Sequence, residues 1–95
     1  MPNNQRIVSI IADLKPGLER KYGVKSIGFC SWWTNQKNAT SDITVIVDLE
    51  KPLGWDFYAL KNLLEAKLRM HIDLTTWAGI KPIVRDEVKE ITRFI

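Results

Sequence analysis

The run Ile43-Thr44-Val45-Ile46-Val47 is apolar at four of its five positions. Side chains alternate between the two faces of a strand. A strand with apolar residues at successive positions therefore has to be covered on both sides, as the central strand of a packed sheet is. The chain has 95 residues in which to supply that cover. This is the length of one domain, so residues 1–95 are expected to form a single unit.

The flanking sequence offers helices for the purpose. Ile7, Ile10, Ile11, Leu14 and Leu18 recur at spacings of three and four, the mark of an amphipathic helix. Pro16 interrupts this pattern and is expected either to kink the helix or to restart it. Gly23 is the candidate left-handed residue that ends it. Val24 to Phe29 reads as a strand. The polar stretch Trp32 to Thr40 reads as a short helical turn and loop, and Pro52 with Gly54 breaks the chain after the buried strand. Phe57, Leu60, Leu63, Leu64 and Leu68 mark a second helix, whose leucine stripe is core. Ile72 to Thr76 reads as a third strand. Pro82 opens a last helix with the stripe Ile83, Val84, Val88, Ile91 and Ile95. The order is α-β-(α)-β-α-β-α, which places the chain in the α/β or α+β class. The connection from Ser31 to Asp42 is too short for a long crossover, so the first two strands are expected to be antiparallel or to share only a brief helix.

Composition removes several functions. Fourteen Lys and Arg stand against eleven Asp and Glu, a net charge of +3 with interspersed signs, so there is no basic arm for nucleic acid. One cysteine, Cys30, excludes an internal disulfide or a multi-cysteine zinc site, and one histidine, His71, excludes a His-rich metal cage. No apolar stretch approaches a membrane span, and Ile7 to Ile11 is too short for a signal-peptide core, so a cytoplasmic protein is expected.

What remains is chemistry built from Asp, Ser and backbone. Ser31 and Asp42 are separated by ten residues, and a further acid, Asp73, sits in the third strand. Asp42 and Thr44 share strand parity, and Asp73 can join them from a neighbouring strand. Carboxylates converging on a patch of sheet suit Mg²⁺ carrying a nucleoside triphosphate. A Ser at a strand-to-helix turn can hold phosphate. Asp48 has the same parity as Asp42, but six residues on it lies about 20 Å away and cannot replace position 44.

At these residues the chain resembles the minimal nucleotidyltransferases, small proteins with the DNA-polymerase-β-type nucleotidyltransferase fold. Their signature is Gly-Ser, ten residues, then Asp-x-Asp, with a third Asp on a later strand. Lys21-Tyr22-Gly23-Val24-Lys25 is similar to the family's leading segment, and Pro52-Leu53-Gly54-Trp55-Asp56-Phe57 to the stretch before its central helix. Ile72-Asp73-Leu74 is similar to its third-carboxylate strand, and Ile80-Lys81-Pro82 with Thr92-Arg93-Phe94-Ile95 to its closing segment. The resemblance implies a small mixed sheet with helices mainly on one face. It implies Asp42 and Asp73 as catalytic and metal-holding residues, Ser31 and Cys30 at the nucleotide, and Mg²⁺ with ATP or another nucleoside triphosphate as cofactor and substrate. Family members commonly serve as antitoxins of HEPN-domain toxins, and some transfer AMP to a tyrosine of the toxin.

The departures fall where chemistry would occur. Cys30 replaces the motif Gly, Thr44 replaces the second Asp, and Thr34-Asn35 stands where Arg-Gly commonly follows the Ser. Cys30 adds a Cβ and sulfur at the phosphate seat, and strains it if the backbone there needs positive φ. Thr44 offers a hydroxyl and no charge. Three readings stay open on these residues. One is an antitoxin of a HEPN toxin with weakened or lost transfer, the second an active nucleotidyltransferase modifying a protein or small molecule, the third a structural unit that only forms a homodimer. Read without the resemblance, Cys30 is a small residue in a tight turn and His71 a solvated or capping residue. Trp32 and Trp33 either stack on a base or partner or pack, and Trp55 and Trp77 are packing residues.

Overall fold

The structure is a computed structural model and describes residues 4–30 and 43–95. Its elements are helix α1 (Asn4–Tyr22), strands β1 (Val24–Cys30) and β2 (Ile43–Leu49), helix α2 (Asp56–Leu68), strand β3 (Ile72–Thr76), a 3-10 turn (Trp77–Gly79), helix α3 (Pro82–Ile91) and strand β4 (Arg93–Phe94). The sheet order is β3-β2-β1-β4. β1 runs antiparallel to β2 and β4, and β2 runs parallel to β3 with α2 as the crossover, so the sheet is mixed, as expected. The expected short helix after β1 lies outside the described residues.

β2 is the middle of this arrangement, and Ile43 to Val47 are all buried. Ile43, Val45 and Val47 face α1 and α2 and join Ile7, Ile11, Leu18, Leu60, Leu64 and Leu68 in the main core. The spacing of these helical residues by four and seven keeps them on one stripe of each helix. Ile46 points to the opposite face. There it packs with Cys30, Ile80 and Val88 under α3, beside Trp77, Val84 and Ile91. Two helices thus lie on one face and the third on the other.

α1 runs unbroken through Pro16. Ala12, whose carbonyl loses its intrahelical donor to the proline ring, and Pro16 itself are both exposed, so water can serve that carbonyl. Gly23 ends the helix with φ +67°, its N–H on the Glu19 carbonyl at 3.2 Å. α2 ends without glycine, on Arg69 at φ 57°.

Three local expectations change. β4 takes residues that the helical stripe would have carried on to Ile95. It pairs Phe94 with Gly28 and Arg93 with Phe29, and Ile95 donates to the Ile27 carbonyl at 3.0 Å. A two-residue strand has no periodicity to read. Trp55 is 86% exposed and packs little, touching Tyr58 at the start of α2 with ring centroids 6.1 Å apart. Trp77 does pack, stacked on Phe94 at 5.8 Å with the Lys89 ammonium 5.9 Å from its ring. Cys30 belongs to β1 rather than to a turn.

β4 can close on β1 because residue 28 has no side chain. A Cβ there would sit 2.7 Å from Thr92 Cγ2 and 3.0 Å from the Arg93 carbonyl oxygen. Gly28→Ala is therefore expected to cost about 1–3 kcal/mol through displacement of β4. Gly17→Ala, in a helix and with nothing within 4 Å of the new Cβ, is expected to add about 0.5–1 kcal/mol. Urea unfolding of the two variants checks the opposite signs.

Candidate active site

The register across the sheet brings three of the expected positions into one row. Cys30 is the antiparallel partner of Thr44, and Thr44 is the parallel partner of Asp73. Directly paired residues project to the same face, and adjacent strands lie about 4.8 Å apart. Thr44 is therefore the centre of the row, with Asp73 on the edge-strand side and Cys30 on the other. Parity places the row on the face of Ile46, the one on which α3 packs. Ser31 and Asp42, the residues next in the chain to the ends of β1 and β2, lie outside the described residues, as do Trp32 and Trp33.

Burial grades along the row. Cys30 and Thr44 are each 2% exposed, while Asp73 is half-buried. Thr44 is the one buried polar residue among those described. The hydrophobic neighbours Ile46 and Ile80 make the floor beside Cys30. Arg69 is the sole non-glycine residue with positive φ among those described, so Cys30 keeps ordinary strand geometry. Its effect is to place a thiol where the motif has no side chain, not to strain the backbone.

The described donors are one carboxylate, one hydroxyl and one thiol. The two oxygen groups suit a hard cation and the thiol does not. Among the described residues no three of His, Cys, Asp and Glu gather closely enough to hold a metal ion by themselves. Of these, the Asp73 carboxylate is the kind of ligand that Mg²⁺ takes beside nucleotides, where one or two carboxylates act together with phosphate oxygens.

Sequence reasoning did not single out Glu65. Its side chain leaves α2 and accepts the Ile72 N–H at 3.0 Å, one residue before Asp73. Its main-chain carbonyl accepts the Arg69 N–H at 2.8 Å. His71 Nδ1 lies 3.8 Å from the same carboxylate, with the imidazole 81% exposed. A glutamate seven residues before a strand carries no recognisable local pattern, so nothing in the sequence marks it.

No family model matches the chain. Among curated proteins it is 33% identical over 93 residues to "Putative protein adenylyltransferase MJ0126" of Methanocaldococcus jannaschii, covering 95% of each chain. It is 32% identical over 93 residues, again covering 95% of each, to "Putative protein adenylyltransferase MJ1217" of the same organism. Among solved structures, its fold is similar to a mutant of the toxin-antitoxin MntA-HpeT, with a TM-score of 0.60 and 17% identity, covering 97% of this chain and 70% of that one. Near-complete alignment with two proteins of one kind joins a mixed sheet whose register assembles positions 30, 44 and 73 of the motif, and the chain belongs to the minimal nucleotidyltransferase family, the MNT type of nucleotidyltransferase-like proteins.

Proposed function

We propose that this chain binds ATP or another nucleoside triphosphate with Mg²⁺ at the Cys30–Thr44–Asp73 row, and that it acts as the antitoxin of a HEPN-domain toxin with nucleotidyl transfer weakened or lost. The observation that carries this reading is the place of Thr44. It is buried, neutral and central, between Asp73 and Cys30. The names of the relatives support the nucleotide, and the toxin-antitoxin identity of the structural neighbour supports the kind of partner.

In this reading Asp42 and Asp73 hold one Mg²⁺, and Ser31 holds phosphate through its hydroxyl. The ion supplies charge neutralisation of the phosphates. Transfer of AMP to a tyrosine would form a bond from the phenol oxygen to the α-phosphorus and release pyrophosphate. A further carboxylate at position 44 would hold a second ion, which would supply positive charge beside the acceptor oxygen. The hydroxyl of Thr44 offers that ion no negative charge. Cys30 narrows the phosphate seat with its Cβ and sulfur. Inhibition of the toxin then rests on binding rather than on modification.

The second reading is an active enzyme that nucleotidylates a protein or small molecule. Asp73 keeps part of its surface open to solvent, which favours it as a working ligand. The two readings are separated by incubating the chain with α-labelled ATP, Mg²⁺ or Mn²⁺ and any HEPN-domain protein found to be encoded beside it. The first expects the two proteins to co-purify with no label on the partner. Label that appears with the natural chain and is lost in Asp42→Ala selects the second. Failure to co-purify removes the antitoxin assignment.

Thr44→Asp tests the role of the central position directly. Without metal the new carboxylate is buried beside Asp73 and is expected to cost about 3 kcal/mol of stability, read from urea unfolding. With Mg²⁺ and ATP most of that loss is expected to return, together with label on the acceptor. A Thr44→Asp variant that is no more stable with Mg²⁺ and ATP than without them counts against the metal site.

A further inference from the structure

We infer that Glu65 is a positioning residue for Asp73, holding the start of β3 so that the carboxylate stands in register with Thr44. The inference rests on the nucleotide-binding reading above. It adds to it a residue outside the motif, on a different element from every motif position.

β3 is an edge strand, with β2 on one side and no other strand pairing with it among the described residues. An edge strand is held by half the ladder of a central one, and its first residues fray most easily. The first residue of β3 is Ile72, and its N–H is bonded to Glu65 Oε2 at 3.0 Å. An N–H donates one strong bond, so this donor is committed to α2 and not to the sheet. The side chain of Glu65 is only 27% exposed, which limits competition from water.

Glu65 also fixes the other end of the same connection. Its carbonyl oxygen accepts from Arg69, whose φ of 57° reverses the chain at the end of α2. One residue therefore closes the helix through its main chain and opens the strand through its side chain. Between these two bonds the chain runs through Met70 and His71 into Ile72, which is anchored in the core at 1% exposure, and then Asp73. Ile72 pairs with Ile43 and Asp73 with Thr44. A one-residue slip at this point would turn the Asp73 carboxylate to the opposite face. Glu65 acts on Asp73 through the backbone, by way of the Ile72 N–H.

Groups that orient a metal ligand from behind typically change affinity by about 10–100-fold when removed. The experiment compares the natural chain with Glu65→Ala, Glu65→Gln, Glu65→Asp and Asp73→Asn. The dissociation constant for Mg·ATP is read by calorimetry, and the unfolding midpoint is measured without ligand. Glu65→Gln keeps the acceptor oxygen at the same reach and is expected to bind as the natural chain does. Glu65→Asp keeps the charge but is one methylene short, and it is expected to weaken binding about tenfold, as is Glu65→Ala. Should Glu65→Ala not fold, the contrast between Glu65→Gln and Glu65→Asp carries the test alone. Midpoints lowered in Glu65→Asp or Glu65→Ala with unchanged affinity for Mg·ATP would leave Glu65 a structural cap and overturn the inference. Loss of affinity in Glu65→Gln would overturn it as well, since charge rather than the hydrogen bond would then matter. Asp73→Asn that binds like the natural chain, or a natural chain that binds no Mg·ATP, would instead remove the nucleotide site itself, and the inference with it.

Discussion

The burial of β2 on both faces is the constraint on which the rest of the structure depends. Five consecutive residues, Ile43 to Val47, are taken from water, and each face needs its own cover. α1 and α2 supply one layer and α3 with the 3-10 turn supplies the other. The candidate site lies on the second face, where Cys30 and Thr44 are buried and Asp73 is half-buried. Thr44 is where the two demands meet in the proposed reading, since it belongs to the buried strand and stands at the position the resemblance would give to a metal ligand. A carboxylate at that position is costly to bury unless a cation accompanies it. A threonine is accommodated whether or not an ion is present. The same residue that would weaken metal-dependent transfer in the proposed reading thus needs no metal to be buried in the strand.

At the margins of the sheet, side-chain and main-chain bonds from other elements add to the strand ladders. On one edge, Glu65 holds the first N–H of β3. On the other, β4 has two residues, supported by the Ile95 N–H on the Ile27 carbonyl and by Lys15 Nζ on the Ile95 carbonyl at 2.9 Å. α2 is secured in the same way at its end, where Arg6 Nη1 donates to the Leu68 carbonyl at 2.9 Å. No helix among the described residues is long and apolar enough to cross a membrane, and α1, the longest, places its apolar stripe on the sheet.

Much of the element order was legible in the sequence because each element has a period or a punctuation mark. The third strand, Ile72 to Thr76, matches its expected bounds, and Gly23 takes the positive φ expected of a helix terminator. The elements that escaped are those with neither signal. These are the two-residue β4, the single 3-10 turn, and the helix end at Arg69, a left-handed residue that is not glycine. Trp55 reads from the sequence as a packing residue, but at the start of α2 it is turned to solvent. Of the candidate site, the motif spacing named positions 31, 42, 44 and 73. The structure describes two of these, together with Cys30.

What the sequence by itself determined is the set of residues available for chemistry and the strands that carry them, because spacing along a chain and side-chain periodicity are local properties. It also determined that residue 44 is a threonine and not a carboxylate, since residue identity needs no fold. Only the tertiary structure decided that Cys30, Thr44 and Asp73 lie in one row, in that order, with Thr44 buried at its centre. It alone brought Glu65 to the Ile72 N–H. Register between strands and contact between a helix and a strand are set by how two cores fill on opposite faces of one sheet. That is a condition on the whole chain at once, and no local stretch encodes it.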